Sequence, residues 1–195
     1  MQAELFNLNR FACIYADPPW AEAGGGRRGA QNHYDLMTSA DIVALPVKFV
    51  TAQNAHLWLW VTNNFLHIGL EAMHAWGFRY VTNRCWDKQV KGLGQYFRSE
   101  HELLLFGVRG TLPVPEPKFR VGTMIRQKRT EHSVKPDIYS EIEGVSPGPR
   151  LEMFARRPRD GWIAIGNEAP GRPGEDIGEA LCRLAIAEPS RTIRV

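Results

Sequence analysis

The chain contains 195 residues, of which 44% are hydrophobic and 23% are charged. These proportions are typical of one soluble globular domain with a sizeable core, and they exclude an intrinsically disordered chain. No apolar run approaches the ~20 residues that a membrane-spanning helix requires, so we expect no membrane partner. The net charge of +3 is compatible with a polyanionic partner but does not require one.

Cysteine usage and the N-terminal residues indicate the compartment. The three cysteines, Cys13, Cys85 and Cys182, are odd in number, far apart and without the spacing of metal ligands. Residues 1–10 lack the basic segment and apolar run of a secretory signal. We therefore expect a cytoplasmic protein in a reducing compartment, with no metal site.

The first predicted element is a buried strand. Residues 11–16 (FACIYA) form a short apolar run that stops at Asp17-Pro18-Pro19. A short apolar run ended by two prolines is typical of a strand that leads into a rigid turn. Residues 23–29 (AGGGRRG) are rich in glycine and predict a loop, which is suited to a lid that excludes water.

The next segment predicts a strand followed by a helix. Residues 55–61 (AHLWLWV) indicate a second buried strand, and Asn63 or Asn64 is suited to cap the helix after it. Gly77 is expected to end this helix. Apolar residues recur within it at helical spacing, at Leu66, Leu70, Met73 and Trp76.

The rest of the chain predicts further strands separated by loops and short helices. A helix is expected from Pro136, a favoured first-turn residue, to about Glu143. We expect one domain over residues 1–169 and a tail over residues 170–195, whose Ile177, Leu181 and Leu184 indicate a weakly amphipathic helix. The remaining strands are predicted at residues 78–86, 102–108, 151–154 and 162–165.

This order of elements defines the expected fold class. Strands that alternate with helices predict an α/β protein with a doubly wound, mostly parallel sheet. Ligands of such sheets bind at the carboxyl ends of the strands. Four polar residues lie at or near predicted strand ends and so mark the expected site: Asp17, Asn63, Asp87 and Glu152.

The segment Asp17-Pro18-Pro19-Trp20 is the candidate catalytic motif, and its residues suit methyl transfer to an aromatic amine. The lone pair of such an amine is delocalised into its ring, so an enzyme must orient the nitrogen toward a methyl donor. The Asp17 carboxylate and the Pro18 carbonyl are suited to accept the two amine hydrogens, and a preplaced carboxylate stabilises the positive charge that develops there. The prolines hold this turn rigid, and Trp20 offers a flat face on which a base can stack.

With this motif, the sequence resembles the MT-A70 family of adenine N6-methyltransferases over about residues 10–169. The resemblance rests on several ordered motifs, which together are far more specific than any one of them. They are residues 17–20 (DPPW), 33–38 (HYDLMT), 57–63 (LWLWVTN), 100–102 (EHE), 132–136 (HSVKP), 151–156 (LEMFAR) and 162–167 (WIAIGN).

The resemblance implies a Rossmann-like class I methyltransferase fold with permuted, β-class motif order, and S-adenosylmethionine as the cofactor. Lys135 resembles the family lysine that contacts the cofactor's carboxylate and borders the base pocket. Glu152 matches a region that lines the cofactor, and Asn167-Glu168 resembles a pair near its ribose and adenine. The residues so assigned to the cofactor are Asp17, Tyr34, Ser133, Lys135, Glu152, Arg156, Asn167 and Glu168.

A second set of residues is assigned to the nucleic-acid substrate. Tyr34 is expected on the loop after the DPPW turn, closing over the cofactor or the base. The basic segment at residues 118–129 directly precedes the Lys135 motif and so should approach the rim of the site. The predicted substrate-binding residues are Trp20, Arg27, Arg28, Tyr34, Arg126, Lys128, Arg129 and Lys135.

The expected function is methyl transfer from S-adenosylmethionine to the N6 amine of adenine in DNA. RNA is the second possible substrate, since the preference for DNA rests on analogy with compact bacterial and phage members of the family. A non-catalytic, nucleic-acid-binding partner subunit and a methyltransferase for a protein or small-molecule amide are also compatible with the motifs. The small size leaves little surface for sequence readout, so we expect short recognition sites or a homodimer that extends the groove.

Overall fold

A computed structural model of the protein describes residues 10–21, 37–94, 96–130 and 134–186. Its strands are β1 (Phe11–Ala16), β2 (Thr51–Val61), β3 (Arg79–Asp87), β4 (His101–Arg109), β5 (Met124–Arg126), β6 (Arg150–Met153) and β7 (Trp162–Ile165). These seven strands form one sheet in the order β5-β3-β4-β2-β1-β6-β7. Within this sheet β4 is antiparallel to both of its neighbours, and the other paired strands are parallel.

Helices cover both faces of the sheet, which confirms the doubly wound, mostly parallel α/β fold. Ile42 of α1, Met73 of α2 and Leu181 of α4 are buried in one core cluster, whereas Ile142 of α3 is buried in the other. No helix among the described residues is long and apolar enough to cross a membrane. The helices are α1 (Ser39–Ala44), α2 (Leu66–Ala75), α3 (Tyr139–Val145) and α4 (Ile177–Ile186), with 3-10 turns at Val47–Phe49, Asn63–Phe65 and Pro117–Phe119.

Residues 11–16 of β1 and 55–61 of β2 are almost entirely apolar because each face of these strands is buried in a different core cluster. In β1, Ile14 belongs to one cluster and Tyr15 to the other. In β2, Leu59 and Trp60 divide in the same way. Side chains alternate across a strand, so a strand with helices on both sides has no polar face. This is the physical reason that residues 11–16 and 55–61 were readable as strands from the sequence.

The helix after β2 packs differently from the prediction. Leu70 is 37% exposed, and Gly69 takes its expected place against the sheet. A Cβ atom on Gly69 would lie 2.5 Å from Cγ1 of Val61, so glycine allows α2 to approach β2 closely. The predicted asparagine cap is also wrong, because Asn63 lies within a 3-10 turn that has no side-chain cap.

Three further local expectations change. The helix expected from Pro136 begins only at Tyr139, as α3. The short strand Met124–Arg126 lies within the basic segment, where no strand was predicted, and pairs with β3. The helix Ser39–Ala44 was also not predicted; Thr38 caps it by accepting a hydrogen bond from the N–H of Asp41.

The register of the sheet places several chain segments at one edge. Ala16, the last residue of β1, lies beside Leu59 of β2 and Met153 of β6. At this same edge β3 ends and β4 begins, with Asp87 opposite His101. The residues that follow β1 and β3 therefore lie on the side where ligands of parallel sheets bind.

Candidate active site

Asp17 emerges directly after β1 and forms an ion pair at the carboxyl edge of the sheet. The Lys135 Nζ atom lies 3.1 Å from Oδ1 of Asp17. Pro18 and Pro19 follow, and the N–H of Trp20 donates to the Pro18 carbonyl at 2.9 Å. A carbonyl oxygen has two lone pairs, so Pro18 keeps a second acceptor position for a ligand.

Lys135 is shared between two carboxylates. Its Nζ atom donates to Oε2 of Glu102 at 2.6 Å, and Oε1 of Glu102 accepts from Nζ of Lys88 at 3.3 Å. The Lys135 ammonium also lies 5.3 Å from the ring centroid of Trp60, on the adjacent strand β2. Asp17, Lys135, Glu102 and Lys88 thus form a chain of alternating charges, which we call the charge network.

The charge network sets the protonation of its members. Burial raises the pKa of the Asp17 carboxyl above its usual range, and Lys135 only partly offsets this. Burial also opposes ionisation of Glu102, but Lys135 and Lys88 outweigh it and lower the pKa of that carboxyl. Although burial disfavours the ammonium of Lys135, Asp17 and Glu102 raise its pKa and keep it charged. Asp17 is therefore the carboxyl of this network that protonates first as the pH falls.

Trp20 does not offer the flat face that the sequence suggested. It is 6% exposed and its ring stacks on Phe65, with the centroids 5.5 Å apart. Its indole N–H donates to the Trp60 carbonyl at 3.0 Å. In this structure Trp20 anchors the turn after Asp17 to the core. Burial of its ring removes a large apolar area from water, and its N–H keeps a hydrogen-bond partner. The prediction of base stacking by Trp20 is therefore corrected.

Glu152 lies one strand away from Asp17, inside β6 rather than after it. It pairs in register with Tyr15, two residues before Asp17. Its Oε1 atom accepts from the Tyr139 hydroxyl at 2.7 Å, whereas its buried Oε2 atom has no hydrogen-bond partner within the described part of the chain. Burial raises the pKa of this carboxyl, and Asp17 adds to that effect. A buried acceptor without a donor is costly, which marks Glu152 as a position for a ligand hydroxyl.

The loops after β6 and β7 complete this side of the edge. Arg156 lies close enough to lower the pKa of both Asp17 and Glu152 by its charge. Asn167 and Glu168 lie in an exposed turn directly after β7. A Cβ atom on Gly166 would lie 2.9 Å from the Phe154 backbone, so glycine allows the two loops to pack closely. The structure thus places the predicted cofactor residues Asp17, Lys135, Glu152, Arg156, Asn167 and Glu168 along one edge.

The basic substrate residues lie on the other flank of this edge. Arg126 ends β5, opposite Asp87 of β3. The N–H of Arg129 donates to the Lys88 carbonyl at 2.9 Å, which ties residues 127–129 to the end of β3. Lys128 between them is exposed. Arg27, Arg28, Tyr34 and Ser133 lie outside the described residues, so their predicted roles stay predictions.

Glu102 and Lys88 are the site residues to which the sequence analysis gave no role. Glu102 belongs to a motif that carries the family resemblance, and it precedes the apolar run LLLF within β4. A carboxylate inside an otherwise mostly apolar strand needs a cation as partner. This pattern could have identified Glu102 from the sequence. Lys88 had no such signal, because its burial depends on the pairing of β3 with β4.

The donor set of the site suits S-adenosylmethionine, the cofactor that the family resemblance implies. The Oε2 atom of Glu152, which has no hydrogen-bond partner among the described residues, suits a ribose hydroxyl, and the Lys135 ammonium and Arg156 guanidinium suit a carboxylate. Within the residues that the structure describes, no group of three or more histidine, cysteine, aspartate or glutamate side chains is arranged to hold a metal ion.

The fold and this edge define an α/β methyltransferase, and comparisons with known proteins identify the family. The MT-A70 family model matches residues 11–168. The type II methyltransferase M.MunI of Mycoplasma sp is 30% identical over 185 residues, which cover 83% of this chain and 78% of that protein. The chain belongs to the MT-A70 family and is a methyltransferase.

Longer eukaryotic proteins also match the chain. A putative N(6)-adenosine-methyltransferase of Medicago truncatula is 30% identical over 177 residues, 84% of this chain and 27% of that protein. The human N(6)-adenosine-methyltransferase catalytic subunit METTL3 is 28% identical over 175 residues, 84% of this chain and 29% of that protein. The chain thus spans less than a third of these two relatives.

Proposed function

We propose that the protein transfers the methyl group of S-adenosylmethionine to the N6 amine of adenine in DNA. The observation that carries this proposal is the position of Asp17. Its carboxylate lies 3.1 Å from Lys135 at the carboxyl end of β1, one strand away from the Oε2 atom of Glu152, for which the described residues offer no hydrogen-bond donor. An acceptor for an amine and an acceptor for a ribose hydroxyl therefore lie side by side.

Asp17 orients and activates the amine. Its carboxylate accepts one amine hydrogen and the Pro18 carbonyl accepts the other, which directs the nitrogen lone pair at the methyl group. S-adenosylmethionine, when bound, would supply an electrophilic methyl group on a positively charged sulfur, and its transfer would leave the electron pair of the broken sulfur–carbon bond on sulfur and place positive charge on the amine. The ionised Asp17 stabilises this charge, and the surplus amine proton leaves to it or to water.

Lys135 keeps Asp17 ionised and in position. Without a cation, two carboxylates at this partly buried edge would repel each other and one would take up a proton. The ion pair leaves the Asp17 side chain 26% exposed, so one part of the carboxylate is held and another part faces the site. Lys135 is thus a positioning residue for the amine acceptor, in addition to its expected contact with the cofactor's carboxylate.

The cofactor is held by residues of the β6–β7 side of the edge together with Lys135. Glu152 accepts from the ribose hydroxyls, Arg156 and Lys135 contact the carboxylate, and Asn167 and Glu168 line the ribose and adenine. The partly buried Tyr139–Glu152 hydrogen bond of 2.7 Å orients the carboxylate before the cofactor arrives. A prepositioned acceptor of this kind lowers the ordering cost of binding.

We prefer DNA to RNA as the substrate because this chain covers most of a compact type II methyltransferase but only a small part of the long adenosine methyltransferases. It covers 78% of the type II methyltransferase M.MunI but 29% of METTL3. The basic residues Arg126, Lys128 and Arg129 on the rim of the site suit a phosphate backbone. RNA is the second candidate, since relatives that match 84% of this chain are named as adenosine methyltransferases.

The test is a labelling experiment on matched substrates. The protein is incubated with methyl-labelled S-adenosylmethionine and single-stranded DNA, duplex DNA or RNA of the same sequence, and the digested nucleosides are identified. We expect label in N6-methyldeoxyadenosine. Label on cytosine, or on no nucleic acid, would contradict the proposal, whereas label in RNA alone would select the second candidate. Calorimetric titration with S-adenosylmethionine separates a non-catalytic subunit that does not bind it.

A further inference from the structure

The connection between β3 and β4 carries two aromatic rings that face solvent almost entirely. Tyr96 is 92% exposed and Phe97 is 89% exposed, and Leu93 in the same connection is 63% exposed. Aromatic side chains normally bury most of their area, so neighbouring exposed rings indicate a contact surface. The charge network and the proposed cofactor site do not involve these side chains.

The backbone of this connection is shaped by its own contacts. The N–H of Gly92 donates to the Ser99 carbonyl at 2.8 Å, and the N–H of Lys88 donates to the Glu100 carbonyl at 2.8 Å. A Cβ atom on Gly94 would lie 1.9 Å from the Phe97 carbonyl oxygen. Because that neighbour is backbone, the tight turn that presents the aromatic rings requires glycine at this position.

The connection projects from the edge of the sheet that holds the active site. β3 is parallel to β2 and β1 through the intervening antiparallel β4, so the end of β3 at Asp87 lies at the same edge as Asp17. Lys88, at the base of the connection, contacts Glu102, and Glu102 contacts Lys135 beside Asp17. The connection that carries the exposed rings therefore begins and ends at the edge of the sheet that holds Asp17.

Positive charges lie on the same connection and beside its base. Among the described residues, no carboxylate forms an ion pair with any of these five cations. Two of the cations, Lys91 and Arg98, lie on the connection itself. The other three, Arg126, Lys128 and Arg129, lie on the segment beside the end of β3. There the Gln127 carbonyl accepts from the indole N–H of Trp86, and the N–H of Arg129 donates to the Lys88 carbonyl. Exposed aromatic rings among unpaired cations are the pattern of surfaces that bind single-stranded nucleic acid.

We propose that Tyr96 and Phe97 stack on bases of the substrate strand next to the target adenine, while the five cations of the connection and its base contact the phosphates of that strand. This inference rests on the proposed function, since it assumes a nucleic-acid substrate. An adenine that enters the active site leaves the base stack, so its neighbours lose a stacking partner. The rings of this connection replace that partner.

The first test compares aromatic with aliphatic side chains. Binding of a fluorescent single-stranded DNA that contains adenine is measured by anisotropy for the full chain and for the double variant Tyr96→Leu/Phe97→Leu. We expect the Kd to rise about 10- to 100-fold, because stacking is lost while apolar area is kept. The double variant Tyr96→Phe/Phe97→Tyr should bind like the wild type. Equal affinity of the leucine variant would overturn the proposal.

Phe49 provides a matched control. It is also an exposed aromatic residue, at 55%, but it lies just before β2, at the opposite edge of the sheet. Phe49→Ala should leave DNA binding unchanged. If Phe49→Ala lost as much DNA affinity as the leucine double variant, any exposed ring would contribute to binding wherever it lies on the surface. That result would contradict the proposal.

The second test does not depend on catalysis. A single strand that carries 5-iodouracil beside the adenine is photo-crosslinked to the wild-type protein, and the modified residue is identified by mass spectrometry. Crosslinks at Tyr96 or Phe97 support the proposal even if no methyl group is transferred, so its outcome is separate from that of the proposed function. Crosslinks confined to other residues would overturn it. A wild-type protein that sediments as a dimer and a leucine variant that sediments as a monomer would also overturn the proposal, because the rings would then join two copies of this chain.

Discussion

The two sides of the catalytic edge are built differently. On the β4 side, Asp17, Lys135, Glu102 and Lys88 satisfy one another in the charge network. On the β6 side, Glu152 accepts from the Tyr139 hydroxyl, but its buried Oε2 atom has no partner among the residues that the structure describes. The charges of the first side are paired within the protein, whereas on the second side we propose that the cofactor supplies the remaining hydrogen bond. Substitutions on the two sides should therefore fail in different ways.

The largest effect is expected for Asp17→Asn. The amide keeps the shape of the side chain but removes the negative charge that stabilises the developing positive amine, so kcat should fall about 10²- to 10³-fold. Affinity for S-adenosylmethionine should change far less. Methyl transfer to DNA and calorimetric titration measure the two quantities. Asp160→Asn, an exposed aspartate in the turn before β7, is the control; full activity of Asp17→Asn would remove the proposed mechanism.

Lys135→Met should break the charge network itself. Asp17 and Glu102 would then face each other without their shared cation, so the free energy of unfolding should fall by about 2 kcal/mol at neutral pH. The two carboxyls would have raised pKa values, and part of the loss should be recovered as the pH is lowered and one of them takes up a proton. Urea unfolding at several pH values measures this.

Lys88→Met is the matched comparison. It leaves Glu102 paired with Lys135, so the stability loss should be smaller than for Lys135→Met and should depend less on pH. Equal losses in the two variants would show that Lys135 does not serve two carboxylates.

Glu152→Gln tests the open side. The amide keeps the volume but weakens the acceptor that faces the ribose, so the Kd for S-adenosylmethionine should rise about 10- to 100-fold. Stability without the cofactor should not fall in proportion, because burial disfavours the ionised carboxyl. Calorimetry gives the affinity, with the exposed Glu179→Gln as the control. Unchanged affinity would exclude Glu152 from the cofactor site.

The smallest expected effect is a shift in the pH dependence of activity. Asp17 must be ionised and burial raises its pKa, so kcat/KM should fall as the pH is lowered through that raised pKa. The Glu102 carboxylate contributes to this raised pKa by its charge. In Glu102→Gln the acid limb should therefore move to lower pH, which a kcat/KM profile measures. A shift to higher pH would show that Glu102 acts mainly by holding Lys135.

Trp20 shows where reasoning from the sequence failed. Its place in the motif suggested an aromatic face for a base, but no local pattern distinguishes an aromatic residue that binds a ligand from one that fills the core. The distinction depends on Phe65 and Trp60, which are distant in sequence and meet Trp20 only in the folded chain. Conversely, the exposed Tyr96 and Phe97 lay in a segment to which the sequence analysis gave no role.

The sequence by itself determined the α/β class, the buried strands β1 and β2, and the edge at which Asp17 lies. These features follow from local patterns, namely apolar runs of strand length, proline restriction and glycine at chain reversals. The tertiary structure decided which charges pair, because Glu102 and Lys135 are 33 residues apart and meet only when β4 pairs against the parallel strands. It also decided which acceptor stays free, since the burial of Glu152 depends on strands and helices from separate parts of the chain.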